Sequence, residues 1–146
     1  MHLFRRYPVG LLILGLIGIM GFTHNLKTDD PKPERWKAPV WADTLKSHFP
    51  TEPLTLAQGE ELFMEYCSSC HGETGFGDGA AGRSLGSKPA NFHDPEVTKQ
   101  TDGALFWKLS NGRGNMPPFK DVFSEEQRWQ LVAFLRKLNT TKTDTK

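Results

Sequence analysis

The sequence predicts an all-α body of three to five helices behind an apolar N-terminal segment. Three observations carry that expectation. Apolar residues recur at helical spacing in three separate stretches, around 56–66, 102–110 and 125–138. No stretch alternates apolar and polar residues as a half-buried strand would. An uncharged, mostly apolar run of 17 residues, 7–23, lies close to the N-terminus.

Composition sets the frame. The 146 residues are 37% hydrophobic and 24% charged, with a formal net charge of +1, which suits one modest domain with an appendage. Charge is unevenly spread: 11 of the 18 basic and 13 of the 17 acidic residues lie beyond Pro50, so the body carries about −2. A weakly acidic body is a poor nucleic-acid binder, and no nucleic-acid partner is expected.

Arg5 and Arg6 precede the apolar run, whose centre holds only Leu, Ile, Gly and Met. Arginines on the N-terminal side keep that end in the cytoplasm and export the chain beyond the run. An uncleaved, single-pass anchor over 1–24 is the favoured expectation. A cleaved signal is the alternative, although Ile19-Met20-Gly21-Phe22-Thr23 offers poor small-residue cleavage sites and no cysteine stands after it to take a lipid. The arginine flank argues against a buried core helix. From 25 to 54 the chain is polar and Pro-rich, with Pro31, Pro33, Pro39, Pro50 and Pro53, and reads as a semi-rigid spacer. Trp36 and Trp41 are unusual there. They either pack on the body, sit at the membrane interface or touch a partner, and packing is the simplest reading.

The body is expected over 55–139. Thr55 offers a cap to a helix whose Leu56, Gly59, Leu62, Phe63 and Tyr66 share one face, and this helix runs straight into Cys67. A glycine-rich stretch, 71–91, comes next with few strand signals. A short helix over 102–110 carries Leu105, Phe106 and Leu109. Gly112 and Gly114 end it, and Pro117-Pro118 enforce an extended turn. Ser124-Glu125-Glu126-Gln127 is a capping-box pattern opening a last helix with Trp129, Leu131, Val132, Phe134, Leu135 and Leu138. The tail, 140–146, is polar. Apolar residues are few for so much loop, so something besides side chains must fill the core.

Cys67 and Cys70 are the only cysteines, and a disulfide between them would close almost no loop. With His71 they form Cys-Ser-Ser-Cys-His, the haem-attachment motif. Two cysteines three apart at a helix end reach the vinyl groups of adjacent pyrroles, and the next residue is carried under the iron. Export favours this reading, because c-type haem is attached outside the cytoplasmic membrane. A thioredoxin-type pair needs a βαβ setting that is missing. A zinc site would use Cys67, Cys70 and His71 with His93 as fourth ligand. For the second face of the iron, Met116 stands in a loop stiffened by Pro117 and Pro118, an unusual place for a core-filling thioether. Met64 lies too close to the cysteines to reach that face, and His93 and His48 are the rival ligands.

Over 56–138 these features resemble the class I c-type cytochromes. In that family a glycine and an aromatic lie eight and four residues before the first haem cysteine, as Gly59 and Phe63 do here. The last helix offers them a leucine and an aromatic, for which Leu131 and Phe134 are the counterparts. Glycine permits the close helix crossing and the aromatics lock it. The family's axial methionine matches Met116. The proline whose carbonyl accepts the N–H of the proximal histidine matches Pro89. The lysine-rich surface of mitochondrial members is absent, so docking through a basic ring is not implied. The run from Cys70 to Gly79 and the Met116-Pro117 pair are closer to bacterial membrane-associated cytochromes of respiratory chains. Gly75, Gly77 and Gly79 lack the Lys-Ser/Thr of a phosphate loop and read as turns around the haem.

The resemblance implies a class I cytochrome c fold around one covalent haem c, plus an N-terminal transmembrane helix. Cys67 and Cys70 would carry the thioethers, and His71 and Met116 the axial bonds. Arg113 would meet a propionate or remain solvated. The implied role is one-electron transfer in a membrane respiratory chain, Fe(III) to Fe(II) and back, with no bond chemistry. The haem edge near Cys70 is the expected exchange route. A peroxidase or gas sensor needs an open sixth site, which Met116 would fill. The alternative is a bound cytochrome c subunit of a larger quinol-oxidising or terminal oxidase complex. Either way the partners are membrane redox complexes or soluble redox proteins, and the haem domain stands on the periplasmic or outer face of the cell membrane.

Overall fold

A computed structural model describes residues 35–50 and 52–140. The expected membrane anchor, the first part of the spacer and nearly all of the tail lie outside the described residues. Among the described residues five α-helices occur in order: α1 (Pro53–Tyr66), α2 (Ser68–His71), α3 (Pro95–Thr98), α4 (Asp102–Asn111) and α5 (Glu125–Thr140). Two 3-10 turns, Val40–Thr44 and Ala81–Ser84, complete the set. Among the described residues the only extended pairing is an isolated bridge between Arg113 and Met116, so the body is all-helical. Among them, too, no helix is long and apolar enough to cross a membrane.

Helix α1 starts two residues earlier than its expected cap. Pro53 occupies the first turn, where its missing N–H costs nothing, and Glu52 is the extended residue before it. Thr55 therefore lies inside the helix, and its hydroxyl donates back to Pro50 O at 2.9 Å. Helix α4 is capped by Thr101, whose hydroxyl accepts from the Ala104 amide at 3.1 Å. The capping box of α5 is reciprocal: Ser124 N–H donates to Gln127 Oε1 at 2.9 Å, and Gln127 N–H to Ser124 Oγ at 3.2 Å.

Helices α1 and α5 cross closely. A Cβ on Gly59 would overlap the Gln130 carbonyl oxygen and stand 3.0 Å from Phe134 Cβ, so only glycine lets the backbones meet. Phe63 is fully buried, Leu131 is 1% exposed, and the rings of Phe63 and Phe134 lie 5.3 Å apart. Beside the crossing Gln130 Nε2 donates to Gln58 Oε1 at 2.7 Å.

The core has two parts. Phe63, Leu109, Phe119, Phe123, Leu131 and Phe134 form one cluster; Leu105, Phe106, Trp129 and Val132 form the other. On α5, Trp129 and Leu131 are two residues apart, about 200° around the helix, so the clusters occupy opposite faces. Leu45 and Phe49 pack on the second cluster, which makes residues 35–49 a strap rather than a loose spacer. Lys108 holds it, donating from Nζ to Trp36 O at 2.6 Å with the ammonium 5.3 Å from the Trp36 ring centroid. Arg35 pairs with Glu96, and the Thr101 hydroxyl donates to Asp43 Oδ1 at 2.6 Å.

Candidate functional site

The chain leaves α1 at Cys67, whose N–H still donates to Phe63 O at 2.9 Å. One further turn places Cys67, Cys70 and His71 together. Cys70 and His71 N–H both donate to Cys67 O, at 3.2 and 2.9 Å, and Gly72 N–H to Ser68 O at 2.8 Å. Both thiols are free and half-buried. The glycine-rich segment beyond them lies against the backbone of this turn. A Cβ on Gly79 would overlap Ser69 O, and one on Gly82 would stand 2.5 Å from Cys70 O. The glycines thus let a loop close on the cysteine turn, and no phosphate-binding sequence accompanies them.

His71 Nδ1 stands 3.1 Å from the Ala90 carbonyl oxygen. A carbonyl only accepts, so Nδ1 carries the proton and the Nε2 lone pair is left as a metal donor. Burial lowers the His71 pKa, with the Ala90 bond opposing the shift, and the imidazole is held neutral. The acceptor expected at Pro89 is corrected by one residue. The Pro89 carbonyl instead faces Gly77, where a Cβ would stand 2.5 Å from its oxygen, and its ring packs on Gly82. Across the His71 ring lies Phe92, stacked at 4.6 Å and 23°. Sequence reasoning missed both Ala90 and Phe92, because nothing local marks which carbonyl or ring faces a histidine 19 or 21 residues away.

Burial, with Cys70 adding to it, pushes the Cys67 thiol up to about 12. A neutral thiol is not primed for thiolate exchange, which weighs against a redox pair. The zinc reading finds no assembled ligand set. His93 Nε2 donates to Thr74 O at 2.7 Å, and its ring stacks on Phe76 at 4.3 Å. Among the described residues no group of three or more His, Cys, Asp or Glu is disposed to hold a metal ion.

Met116 closes a tight loop in which Arg113 N–H donates to Met116 O at 2.9 Å and Met116 N–H to Arg113 O at 3.1 Å. Beyond Pro117 and Pro118, Phe119 and Lys120 N–H return to Leu109 and Ser110 O at 3.1 and 3.2 Å. The loop is therefore pinned to the end of α4. Met116 is half-buried against the Phe63–Leu131–Phe134 cluster, and so are Cys67 and Phe92, the ring under His71. One apolar cluster gathers the cysteine turn, the histidine support and the methionine loop. Met64, by contrast, is 42% exposed, and His48 is exposed on the strap. Arg113 is exposed next to Met116, and its charge contributes, after burial, to lowering the Lys108 pKa.

These residues fit a covalently attached haem: two adjacent thiols, a neutral imidazole with Nε2 to offer, and a soft sulfur held on the same cluster. An all-helical body with this crossing and this cysteine turn is that of a class I c-type cytochrome. Residues 54–135 match the family described as cytochrome c oxidase, cbb3-type, subunit III, and the chain belongs to that family. It is 25% identical over 91 residues to the cytochrome bc1 complex cytochrome c subunit of Corynebacterium diphtheriae, over 62% of this chain and 30% of that protein's length. The reducing HAO-like protein complex Kustc0457/Kustc0458 of Kuenenia stuttgartiensis contains a similar chain. It has a TM-score of 0.55 and 30% identity, over 68% of this chain and 49% of that one. Cytochrome cL of Methylophaga aminisulfidivorans shares the fold with a TM-score of 0.51 at 20% identity, over 74% and 71% of the two chains. Membership of this cytochrome family makes covalently bound haem c the cofactor, and the chain spans less than half the length of the first two of these relatives.

Proposed function

We propose that the chain is a one-electron carrier of a membrane respiratory chain, with thioethers on Cys67 and Cys70 and axial bonds from His71 and Met116. Bound haem supplies the Fe(III)/Fe(II) couple. The observation that carries the ligand assignment is the Ala90 carbonyl 3.1 Å from His71 Nδ1, which dedicates Nε2 to the iron, with Met116 seated on the same cluster as Cys67. The residues then act as a fixed frame. The Ala90 carbonyl holds the imidazole in one tautomer, and the proline-stiffened loop holds the sulfur. The apolar cluster keeps water away, so little reorganises as charge changes. Arg113, beside Met116, is our candidate for a propionate contact.

The N-terminal part completes the proposal. Residues 1–24 anchor the chain as a single-pass helix, 25–54 lead to the haem domain over 55–139, and 140–146 form a polar tail. The domain stands on the periplasmic or outer face. The arginine-flanked apolar run supports this topology. A second reading, a bound subunit of a quinol-oxidising or terminal oxidase complex, is favoured by the family's description and by the relative that is a bc1 complex subunit. Purification from membranes in mild detergent separates the two. A stoichiometric complex supports the subunit, and a lone cytochrome supports the carrier.

Carbon monoxide tests the ligands. The reduced protein and Met64→Ala should bind CO weakly and keep the sulfur-to-iron charge-transfer band of the oxidised form. Met116→Ala should lose the band and bind CO readily. Ready CO binding by the unaltered protein would mean an open sixth site and overturn the carrier reading.

A further inference from the structure

We propose that the strap over 35–49 is a lipid-docking face that seats Val40 and Trp41 in the bilayer interface and turns the haem site away from the membrane. This inference rests on the proposed N-terminal anchor.

Val40 is 86% exposed and Trp41 58% exposed, neighbours on the 3-10 turn Val40–Thr44, although the turn itself is firmly mounted. Ala42, next to them, is fully buried, and its carbonyl lies where a Cβ on Gly103 would be. Lys108, Glu96 and Thr101 hold the strap at Trp36, Arg35 and Asp43. Two large apolar side chains are therefore presented to solvent on a rigid mount, where a mobile loop could have folded them inward. Trp is suited to the lipid interface, with an apolar body and a polar N–H. Lys37 and Lys46 are exposed on either side of the pair and outnumber the one exposed carboxylate between them, Asp43, which accepts from the Thr101 hydroxyl. The rim is thus cationic, complementary to anionic headgroups.

Chain length says which occupant is closest to hand. Only 11 residues, 24–34, separate the apolar run from Arg35. At ~3.3–3.6 Å per residue they keep Arg35 within about 40 Å of the lipid surface. Val40 and Trp41 come five and six residues later, so the face the tether leaves from is also the face that carries them.

Docking of the strap sets the direction of the haem site. The strap packs on the Leu105–Phe106–Trp129–Val132 cluster, whereas Cys67 and Met116 pack on the cluster across α5. A body lying on its strap presents the site outward, toward the extramembrane parts of redox partners.

The test uses the haem-loaded full chain in vesicles of phosphatidylcholine and phosphatidylglycerol, with the haem domain outside. Cys67 and Cys70 are consumed by haem, so a cysteine introduced as Val40→Cys is the reactive thiol. Its alkylation by a water-soluble maleimide should be severalfold slower than that of Lys120→Cys, which adjoins Phe119 of the other cluster. Adding Trp41→Ser to Val40→Cys should abolish the protection, with the haem spectrum unchanged. Equal alkylation at both positions in protein that floats with the vesicles overturns the docking face and leaves the anchor standing. Protein that fails to float overturns both. Protection at Val40→Cys only after a partner complex is added assigns the patch to a protein and overturns the lipid reading.

Discussion

At the scale of single residues, Gly59 and Ala90 do the most with the least chemistry. Gly59 carries no side chain, and that absence lets α1 meet the Gln130 backbone of α5. Gly59→Ala would drive a methyl into that carbonyl and should cost roughly 1–3 kcal/mol as overpacking. The expected result is a lower denaturant midpoint of the haem-loaded protein with an unchanged visible spectrum. A neutral outcome would mean that the helices can part without consequence. Ala90 contributes only a backbone oxygen, yet that oxygen decides which nitrogen of His71 is protonated. The resemblance foresaw a carbonyl in this role and placed it one residue early. A proline marks a stiff segment in sequence, but the direction of each carbonyl depends on where the segment lands, here with Pro89 turned onto Gly77.

At the scale of elements, the helices were mostly legible and their attachments were not. The periodicity over 102–110, the capping box at Ser124 and the Gly59/Phe63 pairing with Leu131 and Phe134 all recur in the structure, because caps and helical faces are written within a few residues. Helix α1 starts three residues before the position its sequence pattern marks, since Pro53 resembles spacer and is in fact a first-turn proline. The strap is the larger surprise. Its main clamp joins Lys108 to Trp36, 72 residues apart, and no local pattern encodes such a pair. Lys108→Met keeps the aliphatic stem and removes the ammonium that donates to Trp36 O and to Gln100 Oε1 at 2.5 Å. We expect a loss of about 1 kcal/mol, discounted for partial exposure. Hydrogen exchange should speed up at the amides of Ala42 and Leu45, which bond within the strap, and not at those of α1. Unchanged exchange would assign the strap's hold to Leu45 and Phe49 instead.

At the scale of the whole molecule, the two apolar clusters are small and the glycine-rich stretch between α2 and α3 adds few buried apolar side chains. Conformational entropy costs about 1–2 kcal/mol for every ordered backbone residue, so a thin core leaves little margin. Covalent haem would supply the missing apolar mass. The double variant Cys67→Ala/Cys70→Ala should therefore be largely unfolded or hold haem only loosely, as read by near-ultraviolet circular dichroism. A well-packed haem-free body would contradict haem as core.

The sequence alone determined the class of molecule: the haem-attachment run, the methionine in its proline-stiffened loop, the helical periods, the caps and the glycine at the crossing. Each is a local signal, set by covalent geometry, helix period or the spacing of ligands along the chain. Only the tertiary structure decided that Ala90 rather than Pro89 supports His71, and that His93 turns to the Thr74 carbonyl and the Phe76 ring. It also decided that the segment before α1 is clamped to α4 on the face opposite the cysteine turn. Those outcomes depend on which surfaces meet when the helices pack, and packing joins residues whose separation along the chain carries no pattern to read.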